Sequence, residues 1–309
     1  MDVSTSTLRT ARVVAELGSI SAGARALGYT QSAVSRQISA LERDVGHLLF
    51  ARTTGGVKLT REGATLLRAA SDMLARLDAS ASEIAGTTPD SIVRVGIFPA
   101  AGATLLPAAV ASLRQLRPEL QIVSRHGSTP ALIRGLRSGA IDLGVISQRA
   151  PYRAPDDETP ALELEQLFET ELVVGAATNY FSGSTVSAAE LLQAPWIAPA
   201  SSTDDPQIGT WPGLPGRPQL AHRSNDWLVR LRLAAGGAGV TSMPGTFLTH
   251  LVPGLQTWRV ADLPPELRRI SLARASGKDS QNDIISTVMN EFLRASESFL
   301  DELGDSATA

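Results

Sequence analysis

The chain has 309 residues, 43% of them hydrophobic, with 28 Lys and Arg against 31 Asp and Glu and a formal net charge of −3. That length suits two or three domains with substantial cores. The absence of cysteine excludes disulfides, thiolate metal sites and thiol redox sensing. His47, His126, His222 and His250 are scattered, with no HExxH-like pair, which argues against a metal site. The first residues, MDVSTSTLRT, lack the basic-then-apolar form of a signal peptide, and no apolar run reaches the roughly 18 residues of a membrane span. A cytoplasmic chain without membrane contact is expected.

Thr7 to Leu17 reads as a first helix with Leu8, Val13, Val14 and Leu17 facing a core, closed by Gly18. Ser21 to Val45 reads as two helices around a tight turn. The first carries Ala22, Ala24, Ala26 and Leu27 and ends at Gly28, a residue that accepts the left-handed backbone past a helix end. Thr30 caps the second, in which Val34, Ile38, Leu41 and Val45 recur at spacings of three and four. Gly23 and Ala24 are expected to let these two helices approach closely. With Val34 and Ile38 inward, Gln31, Ser32, Ser35 and Arg36 lie on the other face. That face is short, hydrogen-bonding and free of carboxylates, which suits a helix in the DNA major groove.

An ordinary helical hairpin shares this periodicity. The segment after Gly46 tells against it. Arg52 to Thr60, RTTGGVKLT, reads as two extended pieces around Gly55-Gly56, a hairpin or wing. Arg52, Thr53 and Lys58 on it are placed to touch phosphates. Residues 1–68 carry nine Arg and Lys against five Asp and Glu, and the remainder nineteen against twenty-six. A positive head on an acidic body fits contact with DNA at one end.

Thr60 caps a long helix to about Ala85. Its positions Leu67, Ala70, Leu74, Leu77, Ala81 and Ile84 form an a/d seam. Either a dimerisation face or packing on its own domain satisfies that pattern. Thr87 to Asp90 is a hinge, because Pro89 ends the helix. From Ile92 the pattern alternates. Ile92–Phe98 is a strand, Leu105 to Leu116 helical, Leu120–Ser124 a strand, Gly127 to Pro130 the opening of a helix that runs to Ser138 with Pro130 near its start, and Gly139–Ile146 a third strand. This order predicts a mainly parallel sheet covered on both faces. Beyond an acidic loop at Ala150–Pro160, strands are expected at Leu162–Phe168 and Leu172–Ala176, with a short helix at Ser187–Leu192. Pro195-Trp-Ile197 enters a strand, Trp227–Ala235 is helical, and Gly239–Pro244 is a buried strand and turn before a helix at Gly245–Leu251. Strands at Leu255–Val260 and Arg269–Ala273 precede a last helix from Ser280 to about Leu300, with disorder from Gly304.

Ala24 to Leu27, Gln31, Ala33 to Ile38, Leu41-Glu42, Gly46, Leu49-Phe50, Arg52 and Leu59-Thr60 resemble the N-terminal signature of LysR-type transcriptional regulators. Gly96, Leu105 to Pro107, Gly139 to Asp142, Ala234 to Gly239 and Met243-Pro244 are similar to that family's periplasmic-binding-protein-like effector domain. The resemblance implies an α + α/β chain divided into a winged helix-turn-helix at 1–60, a linker and dimerisation helix at 61–90, an effector domain at 91–300 and a tail at 301–309. Lobe one would be 91–162 with 266–300, and lobe two 163–265. It implies double-stranded DNA, a second copy of the chain (homodimer or homotetramer), RNA polymerase and a small-molecule effector as partners. Leu67, Leu74, Leu77 and Ile84 would serve dimerisation, and no further cofactor is implied.

Ligands of open α/β sheets sit beyond strand carboxyl ends, where helix N-termini offer N–H groups. Pro99–Thr104, Gly127-Ser128-Thr129 and Ala200-Ser201-Ser202 meet that description, making Ala100, Ala101, Ser128, Thr129, Ser201 and Ser202 candidate effector contacts. Ser128 or Thr129 equally serves as a simple helix cap. Family members that sense small carboxylates commonly carry Ser or Thr where Ala100 or Ala101 stands, so the resemblance points to a less polar effector or one gripped elsewhere. Arg125 and His126 at a strand end are candidates for charge, although Arg125 equally suits a solvent-facing position.

Two other functions are disfavoured. An enzyme on the binding-protein superfold needs a nucleophile–base pair, paired carboxylates or a phosphate loop, and none appears at specific spacing; Gly236-Gly237-Ala238-Gly239 lacks GxGxxG spacing. A solute-binding protein would carry a leader and no DNA-reading head.

Overall fold

The computed structural model describes residues 3–84, 91–149, 161–199, 209–245, 252–276 and 283–306. The head opens with α1 (Thr5–Leu17), α2 (Ile20–Leu27) and α3 (Gln31–Val45). Each has a hydroxyl cap: Ser4, Ser19 and Thr30 accept from the amides of Thr7, Ala22 and Ala33. Each also ends on a left-handed glycine, Gly18, Gly28 and Gly46, with φ of 64°, 71° and 77°. Leu8, Ala11, Val14, Ala24, Val34, Ile38 and Leu41 close one core. Gly23 serves a different approach from the expected one. A Cβ there would stand 2.8 Å from Cγ2 of Val14, so its bareness admits α1 rather than α3.

The wing is an antiparallel hairpin of β1 (Phe50–Thr53) and β2 (Gly56–Leu59), in register Arg52↔Val57 and Thr53↔Gly56. Oε1 of Glu42 accepts from the amides of Leu49 and Phe50 at 2.8 and 3.1 Å, which ties α3 to the wing. Thr60 then caps α4 (Arg61–Ile84) by accepting from the amide of Gly63 at 2.9 Å, while its hydroxyl donates to Leu48 O at 2.7 Å.

The seam on α4 is corrected by its burial. Leu67, Ala70 and Leu74 belong to the head's own core, Leu67 at 0% and Leu74 at 1% exposure. They therefore present no free face to a partner. Leu77, an expected seam position, is 49% exposed, and Met73, outside that seam, is 42% exposed, so the outward apolar surface among the described side chains lies at these two residues. The side chain of Ile84 and the hinge at 87–90 lie outside the described residues.

In the body, β3 (Ser91–Ile97), α5 (Pro99–Leu116), β4 (Leu120–His126), α6 (Thr129–Ser138) and β5 (Leu143–Arg149) form the expected parallel order β4-β3-β5. The remainder departs from a mainly parallel sheet. A single 16-residue strand, β6 (Leu162–Ala177), replaces the two expected there. Next in the chain come β7 (Thr185–Val186), α7 (Ala188–Gln193), β8 (Trp196–Ala198), β9 (Leu220–Arg223), α8 (Trp227–Ala235), β10 (Thr241–Pro244), β11 (Leu255–Val260), β12 (Leu267–Ala275) and α9 (Asp283–Ser306). β12 lies between β5 and β6, antiparallel to both, and the sheet runs β4-β3-β5-β12-β6-β11-β7 with β10 also on β6.

β6 pairs with β12 through Glu171, with β10 from Leu172 and with β11 from Val174. The change of lobe thus falls within one strand, later than the expected boundary at 162. The last helix passes Gly304 and reaches Ser306, so the expected tail is helical at its start. The expected helix at Gly245–Leu251 falls mostly outside the described residues. A core of Val93, Val95, Leu105, Ile270, Leu272, Val288 and Phe292 joins β3, α5, β12 and α9. A second one gathers Trp196, Trp211 and Trp258 in lobe two.

Candidate functional site

The recognition face of α3 stands as its pattern requires. Gln31, Ser32 and Arg36 are exposed and Ser35 is half-buried, while Val34 and Ile38 close on the core behind them. Thr30 is exposed, but its Oγ1 accepts from Ala33 N at 3.2 Å, so its first duty is the cap. Arg52, Thr53 and Lys58 are exposed on the wing. Tyr29, 50% exposed in the turn beside Thr30, joins this surface. An aromatic residue in an otherwise polar turn is the signal for it, and a reading by apolar periodicity passes it over.

The head rests on lobe one. Arg134 on α6 donates from Nε to Glu16 O at 3.0 Å, and Arg125 donates from Nη1 to Glu16 Oε2 at 3.2 Å. Ser71 on α4 donates to Ser138 O at 2.9 Å, and Arg68 to Ser276 O at 3.3 Å. Arg125 is thereby directed at the head rather than at a ligand, which corrects its expected role. Burial lowers the pKa of Arg12 beside this contact, while the carboxylate of Glu16 acts to raise it. A space of about 360 Å³ remains between the wing residues Thr53 and Lys58 and the α6 residues Ile133 and Arg134.

Between the lobes lies a cavity of about 110 Å³. Phe98, Pro99 and Ala100 at the start of α5 form one wall. Trp227, Arg230 and Leu231 of α8 and Thr241 to Pro244 of β10 form the opposite one, with Arg268 of β12 beside them. Of the expected effector contacts, Ala100 and Thr129 line this space. Ala101, at 0% exposure, is packed in the core behind it, because the helical turn rotates it away. Ser128 is the N-cap residue of α6, makes no side-chain cap bond and stands outside the lining. The hydroxyl of Thr129 donates to Ser147 O at 3.2 Å and accepts from Ser147 N at 3.1 Å, pinning α6 to β5. Ser201 and Ser202 lie outside the described residues. Arg230 and Arg268 at the cavity, 5% and 2% exposed, carry no sequence signal: one reads as a helix's polar position and the other as an alternating strand residue. Among the described residues no group of His, Asp or Glu could hold a metal ion, and no described helix is long and apolar enough to cross a membrane.

A winged helix-turn-helix joined through a long helix to a two-lobed α/β body with a cavity between its lobes is the architecture of a ligand-responsive DNA-binding protein. Residues 5–64 match the family model of the bacterial regulatory helix-turn-helix protein, lysR family, and residues 87–294 that of the LysR substrate binding domain. The chain belongs to the LysR family. It is 30% identical over 241 residues to the transcriptional regulator ClcR of Pseudomonas putida, covering 75% of this chain and 80% of that one. It is 27% identical over 187 residues to the transcriptional regulator TdcA of Escherichia coli K12, covering 60% of this chain and 58% of the relative's length. Among solved structures, full-length CbnR complexed with its target DNA superposes with a TM-score of 0.51 at 22% identity, covering 95% of this chain and all of that one.

Proposed function

We propose that the chain is a sequence-specific transcriptional regulator that acts on double-stranded DNA in the cytoplasm. The observation that carries this reading is the exposed polar face of α3, Gln31, Ser32 and Arg36, standing beside a wing with Arg52 and Lys58. Gln31, Ser32, Ser35 and Arg36 read base edges, while Arg52, Thr53 and Lys58 hold phosphates. The two-lobed body binds a small-molecule effector in the cavity between its lobes, with Ala100 and Thr129 on one side and Arg230, Thr241 and Arg268 on the other. Family membership and the DNA-bound state of CbnR support this assignment.

The protein works as a homodimer or homotetramer, since one head covers only one half-site. Met73 and Leu77 are exposed apolar residues among the described side chains of α4, and self-association would draw on them. The effector acts by preferring one arrangement of the oligomer, and its influence is bounded by its differential affinity for the arrangements. RNA polymerase is the further partner of a regulator bound upstream of a gene. The body senses its small molecule and does not turn it over.

DNase footprinting of the purified protein on the region upstream of its own gene tests the reading. A protected inverted repeat is expected, with affinity falling steeply as salt rises. Failure to bind any duplex from the locus at low ionic strength overturns it.

A further inference from the structure

Glu42 organises the passage from the recognition helix to the wing. Its backbone carbonyl accepts from the amide of Gly46 at 2.9 Å, which closes α3. Its side-chain Oε1 accepts from the amides of Leu49 and Phe50 at 2.8 and 3.1 Å. Gly46, His47 and Leu48 between them are exposed, Leu48 at 69%, so packing does not fix this connection. Leu49 and Phe50 do pack in the core of the head, but apolar contact is non-directional and leaves the tilt of their peptide planes open. Hydrogen bonds from two successive amides to one carboxylate oxygen are directional and set that tilt.

Thr60 holds the same segment from the other side. Its hydroxyl donates to Leu48 O at 2.7 Å and its amide donates to Leu49 O at 3.0 Å. Phe50 is the root of the wing, paired with Leu59 in the first rung of the hairpin. Lys58 stands one rung further, opposite Ala51, and Arg52 one beyond that, opposite Val57. Both wing cations thus lie within two rungs of an amide that Glu42 holds.

Resting on the reading of Arg52 and Lys58 as phosphate contacts, we propose that Glu42 is a positioning residue for DNA binding. Its Oε1 fixes the angle of the wing against α3, so that the wing cations meet the backbone while α3 lies in the groove. Glu42 acts through Arg52 and Lys58 and not on the DNA. A binding surface gains from side chains whose geometry is locked by a supporting layer of hydrogen bonds, and Glu42 supplies that layer here. A carboxylate in a DNA-reading head repels phosphates, so the value of Glu42 lies in its acceptor oxygen and not in its charge.

Gel-shift titrations of the full-length protein over a salt series, on the protected upstream repeat and a scrambled duplex, test this with two neutral variants of equal reach. Glu42→Gln keeps an acceptor oxygen and Glu42→Met has none. Glu42→Gln is expected to retain the wild-type slope of log affinity against log salt. Glu42→Met is expected to flatten that slope by about two, one phosphate for each wing cation, and to weaken both duplexes alike. The ratio of the two affinities should stay within about twofold of wild type, because phosphate contacts carry no sequence information and α3 keeps its seat through Val34, Ile38 and Leu41. Should Glu42→Met not fold, Glu42→Asp takes its place with the same expectation, since it keeps the charge and withdraws the oxygen. A wild-type slope in the variant without the acceptor, a flattened slope in Glu42→Gln, or a collapse of the affinity ratio together with the slope overturns the proposal. Arg52→Ala and Lys58→Ala separate this inference from the reading beneath it. If neither changes the slope, the wing does not hold phosphates; if both do and Glu42→Met does not, only the positioning role falls.

Discussion

Glu16, in the last turn of α1, accepts a hydrogen bond at 3.2 Å from Nη1 of Arg125 at the end of β4. The same carboxylate lies 3.5 Å from Nε of Arg12, and the residue's backbone carbonyl takes Nε of Arg134 on α6. One residue of the head thus meets cations from its own helix and from two elements of lobe one. The side chain of Arg125 is 44% exposed, so solvent screens its ion pair, and such pairs contribute about 0–1 kcal/mol. Glu16→Ala is therefore expected to leave global stability nearly unchanged while loosening the contact locally. Hydrogen exchange should quicken in α1 and α6 and not in α9. An unchanged exchange pattern would assign the docking to Ser71 and Arg68 instead.

Leu74 and Leu77 are one helical turn apart and have opposite fates, 1% against 49% exposure. Leu74→Ala is expected to destabilise the head by about 2–5 kcal/mol, as truncations in packed cores do. Leu77→Ala should leave head stability within about 0.5 kcal/mol and shift sedimentation toward smaller species. Equal effects of the two substitutions on urea unfolding would contradict this division of α4.

Gly63 is in the first turn of α4, where alanine ordinarily gains about 1 kcal/mol over glycine. Here a Cβ would overlap the carbonyl oxygen of Leu49, a backbone atom that cannot rotate aside. Gly63→Ala is accordingly expected to lower Tm, against helix propensity, and a rise in Tm would refute the close approach.

Two substitutions in the head should weaken DNA binding in different ways. Arg36→Ala is expected to cost about 1–3 kcal/mol and to relax preference at one base position if its partner is guanine. Lys58→Ala should weaken all sequences alike and reduce the slope of log affinity against log salt by about 1. Gel-shift titrations at several salt concentrations, on cognate and scrambled duplexes, distinguish the two.

The head is legible almost residue by residue, because its signals are local. Ser and Thr caps, left-handed glycines and the three-four spacing of Val34, Ile38 and Leu41 each act within a few residues of themselves. The α4 seam misleads because a three-four repeat specifies a buried stripe without naming what covers it. In the body, the βαβαβ unit announces itself through its alternation, and β6 reads as strand at both ends but not as one continuous strand. Glu169, Thr170 and Glu171 within it read as a break between two strands, yet the ladder with β12 runs on through them, and Glu163 and Glu169 face Arg274 and Arg269 across it at 2.6 and 2.7 Å. That pairing spans about a hundred residues of sequence, and no local pattern encodes it. The cavity shows the same limit: Ala100 can be placed from its strand end, but Arg230, Thr241 and Arg268 converge only through tertiary structure.

β6 passes from one lobe to the other without interruption, bonded to β12 on one side of Glu171 and to β10 and β11 beyond it. A spine of this kind keeps both halves on one continuous backbone, while the change of ladder partner beyond Glu171 leaves no neighbouring strand that braces both halves at once. What remains easy is torsion about its length, a small twist of one half against the other. A molecule seated over that spine would then act less as a wedge than as a setscrew, fixing the pitch at which the trunk offers its ledge to the reading head.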